Sequence, residues 1–202
     1  MRKLVPIVPL LLCTLASGCV TAQTTESLKN SFDSGVAAYD AGDYPKAFQI
    51  WSAIDNDDVA AMRNVAMMLR KGQGTAKDPK AAEAMFERAA EVGLPTAQAD
   101  LADMLLKGEA GPPDPKRALP LLQAAAAANH PVAQYELAQL YESGDQVPRD
   151  LDVARNLYAA AAGHGMPEAR ARLQALGGLP FKPAPTAAAG PVPGSELRPT
   201  PP

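Results

Sequence analysis

Three consecutive stretches of 36 residues in this chain carry eight identical columns. They are Ala61/Ala97/Ala133, Ala66/Ala102/Ala138, Gly72/Gly108/Gly144, Asp78/Asp114/Asp150, Ala82/Ala118/Ala154, Ala89/Ala125/Ala161, Ala90/Ala126/Ala162 and Pro95/Pro131/Pro167. A fixed period of this size marks a repeat array, in which no unit can bury its apolar side alone and each neighbour covers the next. The copies run over residues 60–95, 96–131 and 132–167.

Each copy reads as a helical hairpin. In the third, Ala133, Leu137, Ala138, Leu140 and Tyr141 fall on one stripe at helical spacing, which defines a first helix, A. Gly144 then suits the left-handed residue that ends a helix, and Asp150 suits the N-cap of a second helix, B. In the other copies the cap is followed by proline, Asp78-Pro79 and Asp114-Pro115, as the first helical position prefers. The buried stripe of B is Ala154, Leu157, Tyr158, Ala161 and Ala162, and the alanine pair leaves room for close backbone approach. Gly93, Asn129 and Gly165 end the B helices. The fold class expected is all-α, an α/α solenoid or superhelix of such hairpins.

Residues 28–59 read as a divergent first repeat with a shorter connection between its helices. Its Trp51 stands four residues after Ala47, as Phe86 does after Ala82, and is expected in the core. In the second copy, Pro120 falls about six residues into helix B, where it should remove one backbone bond and bend the helix. Residues 168–178 read as a capping helix, with Ala169 and Leu173 inside and Glu168, Arg170 and Arg172 outside. Residues 179–202 hold eight prolines and no apolar period, so a disordered tail is expected.

These columns resemble the Sel1-like repeat family, a tetratricopeptide-like group. Its unit runs roughly AxYxLGxLYxxGxGVxxDxxKAxxWYxKAAExG. The third copy carries Ala133, Tyr135, Leu137, Ala138, Leu140, Tyr141, Gly144, Asp150, Ala154, Tyr158, Ala161, Ala162 and Gly165 in register. The second departs from it, with GEAGPP in the loop, and the paired cysteines of some secreted relatives are missing. The resemblance implies adapters in envelope biogenesis, signalling or host interaction.

Residues 1–18 read as a signal peptide, with Arg2 and Lys3 before an apolar run over 4–15. That run is short of the roughly 20 residues a membrane span needs. Leu15-Ala16-Ser17-Gly18-Cys19 resembles a bacterial lipobox, which implies cleavage before Cys19 and its lipidation. An ordinary secretory signal cut after Ala22 is the alternative. Cysteine usage favours lipidation: Cys13 leaves with the signal and Cys19 is modified, so no thiol remains. Residues 19–27 read as a lipidated flexible tether, and Val20 after the cysteine favours, by resemblance, the periplasmic face of an outer membrane. Without Arg2 and Lys3, 17 basic residues face 22 acidic ones, a net charge of −5 that argues against nucleic acid as a partner.

Little points to chemistry. His130 and His164 fall on non-equivalent columns and are expected as solvent-facing turn residues, with no HExxH or Cys/His cluster for a metal. Some relatives have been described as β-lactamases, but such a serine enzyme needs SxxK and KTG, and neither occurs. Gly72-Gln73-Gly74 lacks the lysine of a phosphate cradle. No catalytic residue and no cofactor is expected. What remains is surface. The helix-A face turned away from helix B should hold Asn64, Met67 and Lys71, then Asp100, Asp103 and Lys107, then Glu136, Gln139 and Ser143. This mildly acidic strip is expected to bind a peptide or protein segment. The favoured function is a non-enzymatic interaction scaffold of the bacterial envelope, tethered to the membrane by lipid. An envelope enzyme or accessory acting on peptidoglycan, and a secreted host-interaction factor, are the alternatives.

Overall fold

The computed structural model describes the backbone of residues 16–178 and side chains from residue 25 onward. The apolar run of the signal segment and the proline-rich tail lie outside the described residues. Within them are nine helices and no strand: α1 (Ala16–Asp40), α2 (Tyr44–Ser52), α3 (Val59–Lys71), α4 (Pro79–Glu91), α5 (Pro95–Lys107), α6 (Pro115–Ala127), α7 (Pro131–Ser143), α8 (Leu151–Gly163) and α9 (Pro167–Ala175). None is long and apolar enough to cross a membrane. The chain divides into two compact units, Met1–Val92 and Gly93–Pro202. In the first, α1 to α4 pack each on the next; in the second, α5 to α9 do the same.

The helices stop and start where local chemistry dictates. Gly72, Gly108 and Gly144 each close an A helix at φ of 71°, 66° and 73°, a region that costs a residue with a Cβ about 1–2 kcal/mol. The aspartate that follows has two tasks. Its carboxylate accepts from the first turn of helix B: Asp78 from Ala81 N at 3.0 Å, Asp114 from Arg117 N at 3.1 Å, Asp150 from Val153 N at 3.0 Å. Its own backbone N–H reaches back nine residues to a carbonyl of helix A, Leu69, Leu105 or Tyr141, at 2.9 Å each time. One residue thus satisfies an orphan donor of one helix and an orphan acceptor of the other, which is why that column is invariant.

The alanine columns lie at the centre of the core. Ala61, Ala66, Ala82, Ala89 and their equivalents two copies long are all fully buried at 0 % exposure. Between them Phe86, Leu122 and Tyr158, three residues of one column, fill the space that the alanines leave. In the divergent first repeat Trp51 takes that place, 3 % exposed, with Phe32, Val36 and Tyr39 of α1 packed around it.

Two expectations need correction. The tether expected over residues 19–27 is helical: α1 runs unbroken from Ala16 to Asp40. No proline or glycine occurs between residues 19 and 34, and Leu28, Phe32, Val36 and Tyr39 anchor one stripe of α1 on the core. Once that part is fixed, extending a helix outward costs little, because propagation adds a bond per residue. The second is His130. It is the N-cap of α7, half-buried, with Nδ1 accepting from Ala133 N at 3.4 Å, while His164 is the exposed turn residue expected. Pro120 is accommodated within a continuous α6, on the exposed side opposite Ala118, Leu122 and Ala125.

Candidate interaction surface

In the first unit, the helix-A residues singled out above come together over a hollow. Val36 and Tyr39 of α1, Trp51 of α2, and Arg63, Asn64, Met67, Met68 and Lys71 of α3 enclose about 340 Å³. Asn64, Met67/Met68 and Lys71 share one face because they recur at three- and four-residue spacing. The floor is aromatic and held rigidly. Trp51 Nε1 donates to the Phe32 carbonyl at 3.2 Å, Tyr39 Oη donates to Gln73 Oε1 at 3.2 Å, and the Tyr39 and Trp51 ring centroids lie 5.8 Å apart. Edge-on contact with Tyr44, at 5.0 Å, fixes Tyr39 from its other side. No carboxylate lines this hollow, while Arg63 and Lys71 bring positive charge to it.

Gly35 explains how the floor is built. A Cβ at that position would sit 2.3 Å from Trp51 Nε1, so the indole lies directly against the backbone of α1. Only glycine permits that approach.

In the second unit the equivalent positions are arranged differently. On α5, Asp103 pairs with Lys107 at 2.7 Å, an i,i+4 pair worth about 0.3–0.5 kcal/mol, and Asp100 is one turn before it. On α7, Gln139 donates to Tyr135 Oη at 3.3 Å, and Glu136 is half-buried one turn earlier. Gln139 and Ser143 border a hollow of about 380 Å³ together with Leu140, Glu142, Arg149 and Arg172.

Glu142 and Arg172 were not among the residues expected here. Glu142 accepts from Tyr158 Oη at 2.7 Å and from Arg172 of α9, and its own carbonyl accepts from Arg149 Nε at 3.0 Å. Burial pushes the Glu142 carboxyl upward. The hydrogen bonds from Tyr158 and Arg172, with the charges of Arg172 and Arg149, outweigh that and hold it below the usual range. Burial, then the bond to Glu142, raises the Tyr158 phenol, so it remains a donor. A carboxylate held ionised and a phenol held protonated are poorly placed to exchange protons with a substrate. The cluster is a lock joining α7, α8 and α9. One signal pointed to it: Arg172 occupies the column of Asn64, Asp100 and Glu136, so the same helix position recurs in α9 as a cation. Nothing in the period marks Glu142, whose equivalents are Arg70 and Leu106.

Among the described residues no group of His, Cys, Asp and Glu is arranged to hold a metal ion.

Within each unit helices pack in chain order, and the alanine columns of the 36-residue copies lie in the core, the arrangement of an all-α helical-repeat protein of the α/α solenoid class. The family model of the Sel1 repeat matches residues 59–94, 95–130 and 131–166, each starting one residue before the copies delimited from the identical columns. The chain belongs to the Sel1 repeat family. Proteins of this family are generally interaction scaffolds. A crystal structure of a Sel1 repeat protein from Oxalobacter formigenes is similar, with a TM-score of 0.69 and 30% identity over 74% of this chain and 63% of that one. So is that of a protective antigen present in uropathogenic Escherichia coli strains, displaying an SLR fold, with a TM-score of 0.69 and 26% identity over 78% and 35%. This chain thus spans less than two thirds of the length of either. No curated protein matches it.

Proposed function

We propose that the chain is a non-catalytic adapter of a bacterial cell envelope that holds a peptide or protein segment on the exposed faces of its A helices. The observation that carries this reading is the hollow under Asn64, Met67 and Lys71, a rigid aromatic floor beneath a polar rim. Preorganised apolar surface with a few placed polar groups binds with little ordering cost. The lipobox-like residues before Cys19 support anchorage on the periplasmic side of an outer membrane, with α1 leading directly from the lipid into the first unit. The acidic balance supports protein over nucleic acid as the partner.

The test is site-specific crosslinking in intact cells. A photoreactive residue at Met67 is expected to capture a defined partner that the same residue at Ala84, exposed on α4, does not. Equal capture from both positions, or none from Met67, removes the surface from consideration. Cys19→Ser is expected to move the protein from the membrane to the soluble fraction. Display outside the cell is a second reading, supported by the solved relative that is a protective antigen. Cleavage of the chain by protease added to intact cells would favour it. Release of fragments from peptidoglycan by the purified chain would favour an envelope enzyme over either.

A further inference from the structure

We propose that the second unit carries a phosphate-binding site, in which the guanidiniums of Arg149 and Arg172 clamp the oxyanion of a small phosphate ester beside the last turn of α7. Both line one hollow of about 380 Å³ together with Glu142. Each is fixed from one side by that residue: Arg149 Nε donates to the Glu142 carbonyl at 3.0 Å, and Arg172 Nη2 donates to the Glu142 carboxylate. Arg149 thereby keeps both terminal nitrogens without a hydrogen-bond partner among the described residues. A guanidinium already held in place loses little freedom on binding, and its planar fork matches two oxygens of a phosphate.

The negative groups nearby are already matched. The Glu142 carboxylate accepts from Tyr158 Oη at 2.7 Å as well as from Arg172. Unpaired carbonyls at the end of α7 would repel an anion, but Leu140 O accepts from Gly144 N at 2.9 Å, Tyr141 O from Asp150 N at 2.9 Å, and Glu142 O from Arg149. Two cations against one carboxylate leave the hollow positive, in a chain with more acidic than basic residues. The repeat itself does not supply this pair: the positions equivalent to Arg149 and Arg172 hold Lys77 and Asp100 one way, and Pro113 and Glu136 the other. The volume lies near the lower limit of sites that enclose a ligand, which suits a small ester, with Leu140 and Gln139 beside its alcohol part. A glycerol phosphate in solution and the headgroup of an anionic phospholipid present the same oxyanion, and the two arms of the test separate them.

In the first arm the mature chain carrying Cys19→Ser is titrated with glycerol 3-phosphate, glycerol and N-acetylglutamate, followed by amide chemical shifts. Glycerol 3-phosphate is expected to move the amides of Glu142, Arg149 and Arg172 saturably, glycerol to leave them in place, and N-acetylglutamate to bind about tenfold more weakly. Arg149→Gln and Arg172→Lys should each weaken the phosphate ester several-fold. The second of these keeps a cation opposite Glu142, so the loss reports the guanidinium fork and not the packing of α9. Lys107→Gln, which alters a cation of α5 outside the hollow, should leave binding unchanged. In the second arm the same chains are sedimented with vesicles of phosphatidylglycerol and phosphatidylcholine, or of phosphatidylcholine alone. Retention on the anionic vesicles that Arg149→Gln abolishes assigns the phosphate to a lipid headgroup; binding of glycerol 3-phosphate without retention assigns it to a free ester. Equal binding of N-acetylglutamate, a loss as large in Lys107→Gln as in the arginine variants, or no shift together with no arginine-dependent retention would overturn the proposal.

Discussion

Gly35 sits inside α1, five residues before its end at Asp40, where glycine costs a helix about 1 kcal/mol relative to alanine. Propensity alone therefore predicts that Gly35→Ala stabilises. The indole of Trp51 reverses the sign, because the added methyl would lie 2.3 Å from Nε1 and the ring cannot withdraw without breaking its bond to Phe32. We expect a net loss of about 1–3 kcal/mol, the usual cost of overpacking, read as a lower midpoint in denaturant and an altered near-ultraviolet signal from Trp51. Glu142 supplies a second test at this scale. Its carboxyl is held below the usual value in the folded chain, so its contribution is present above the unfolded pKa of about 4.3 and is lost as pH falls through the lower folded value. Glu142→Gln should therefore lower the melting temperature at pH 7, and the gap to the parent should close as pH falls below about 4. A gap constant from pH 7 to 3 would show that the carboxylate does not stabilise through its charge. Both residues escape a reading by period: Gly35 precedes the copies, and the partners of Glu142 lie 16 and 30 residues away.

At the scale of the helix, the caps were legible because they are local. Asp78, Asp114 and Asp150 bond to groups within three residues, and glycine at the end of each A helix follows from backbone sterics alone. His130 was missed as a cap although it stands immediately before Pro131 at a first helical position. Its equivalents, Leu94 and Met166, offer no acceptor, so the column gave no hint. Pro120 is legible as a defect, and the structure shows how it is tolerated: the ring is exposed, and the carbonyl it deprives is that of Lys116, in the first turn of α6. Pro120→Ala should restore that bond. It should raise stability by up to about 3 kcal/mol, less the freedom that proline removes from the unfolded chain, measured by chemical denaturation.

At the scale of the molecule, an array of hairpins needs an end that water can cover, and α9 supplies it. Ala169 and Leu173 close the core formed by Ala154, Tyr158, Ala161 and Ala162, while Arg172 ties the helix to Glu142. Leu173→Ala should cost about 2–5 kcal/mol, as deletion of a well-packed leucine does, and should be read as earlier thermal unfolding. A loss under 1 kcal/mol would mean that α9 does not carry the end of the array.

The sequence by itself determined the hairpins, their caps, their order and the alanine contacts, since these depend on neighbours three or four residues apart or on a period that repeats the same contact at each step. It also placed Asn64, Met67 and Lys71 on one face of one helix. Tertiary structure decided what lies beneath that face. Trp51 and Tyr39 arrive there from two other helices, and Glu142, Tyr158 and Arg172 meet only because three helices pack. Register placed Trp51 and Tyr158 in the core without saying which side chains they would meet; Tyr39 lies outside the copies and Glu142 in a column that varies between them, so those meetings are fixed by side-chain volume and packing across helices.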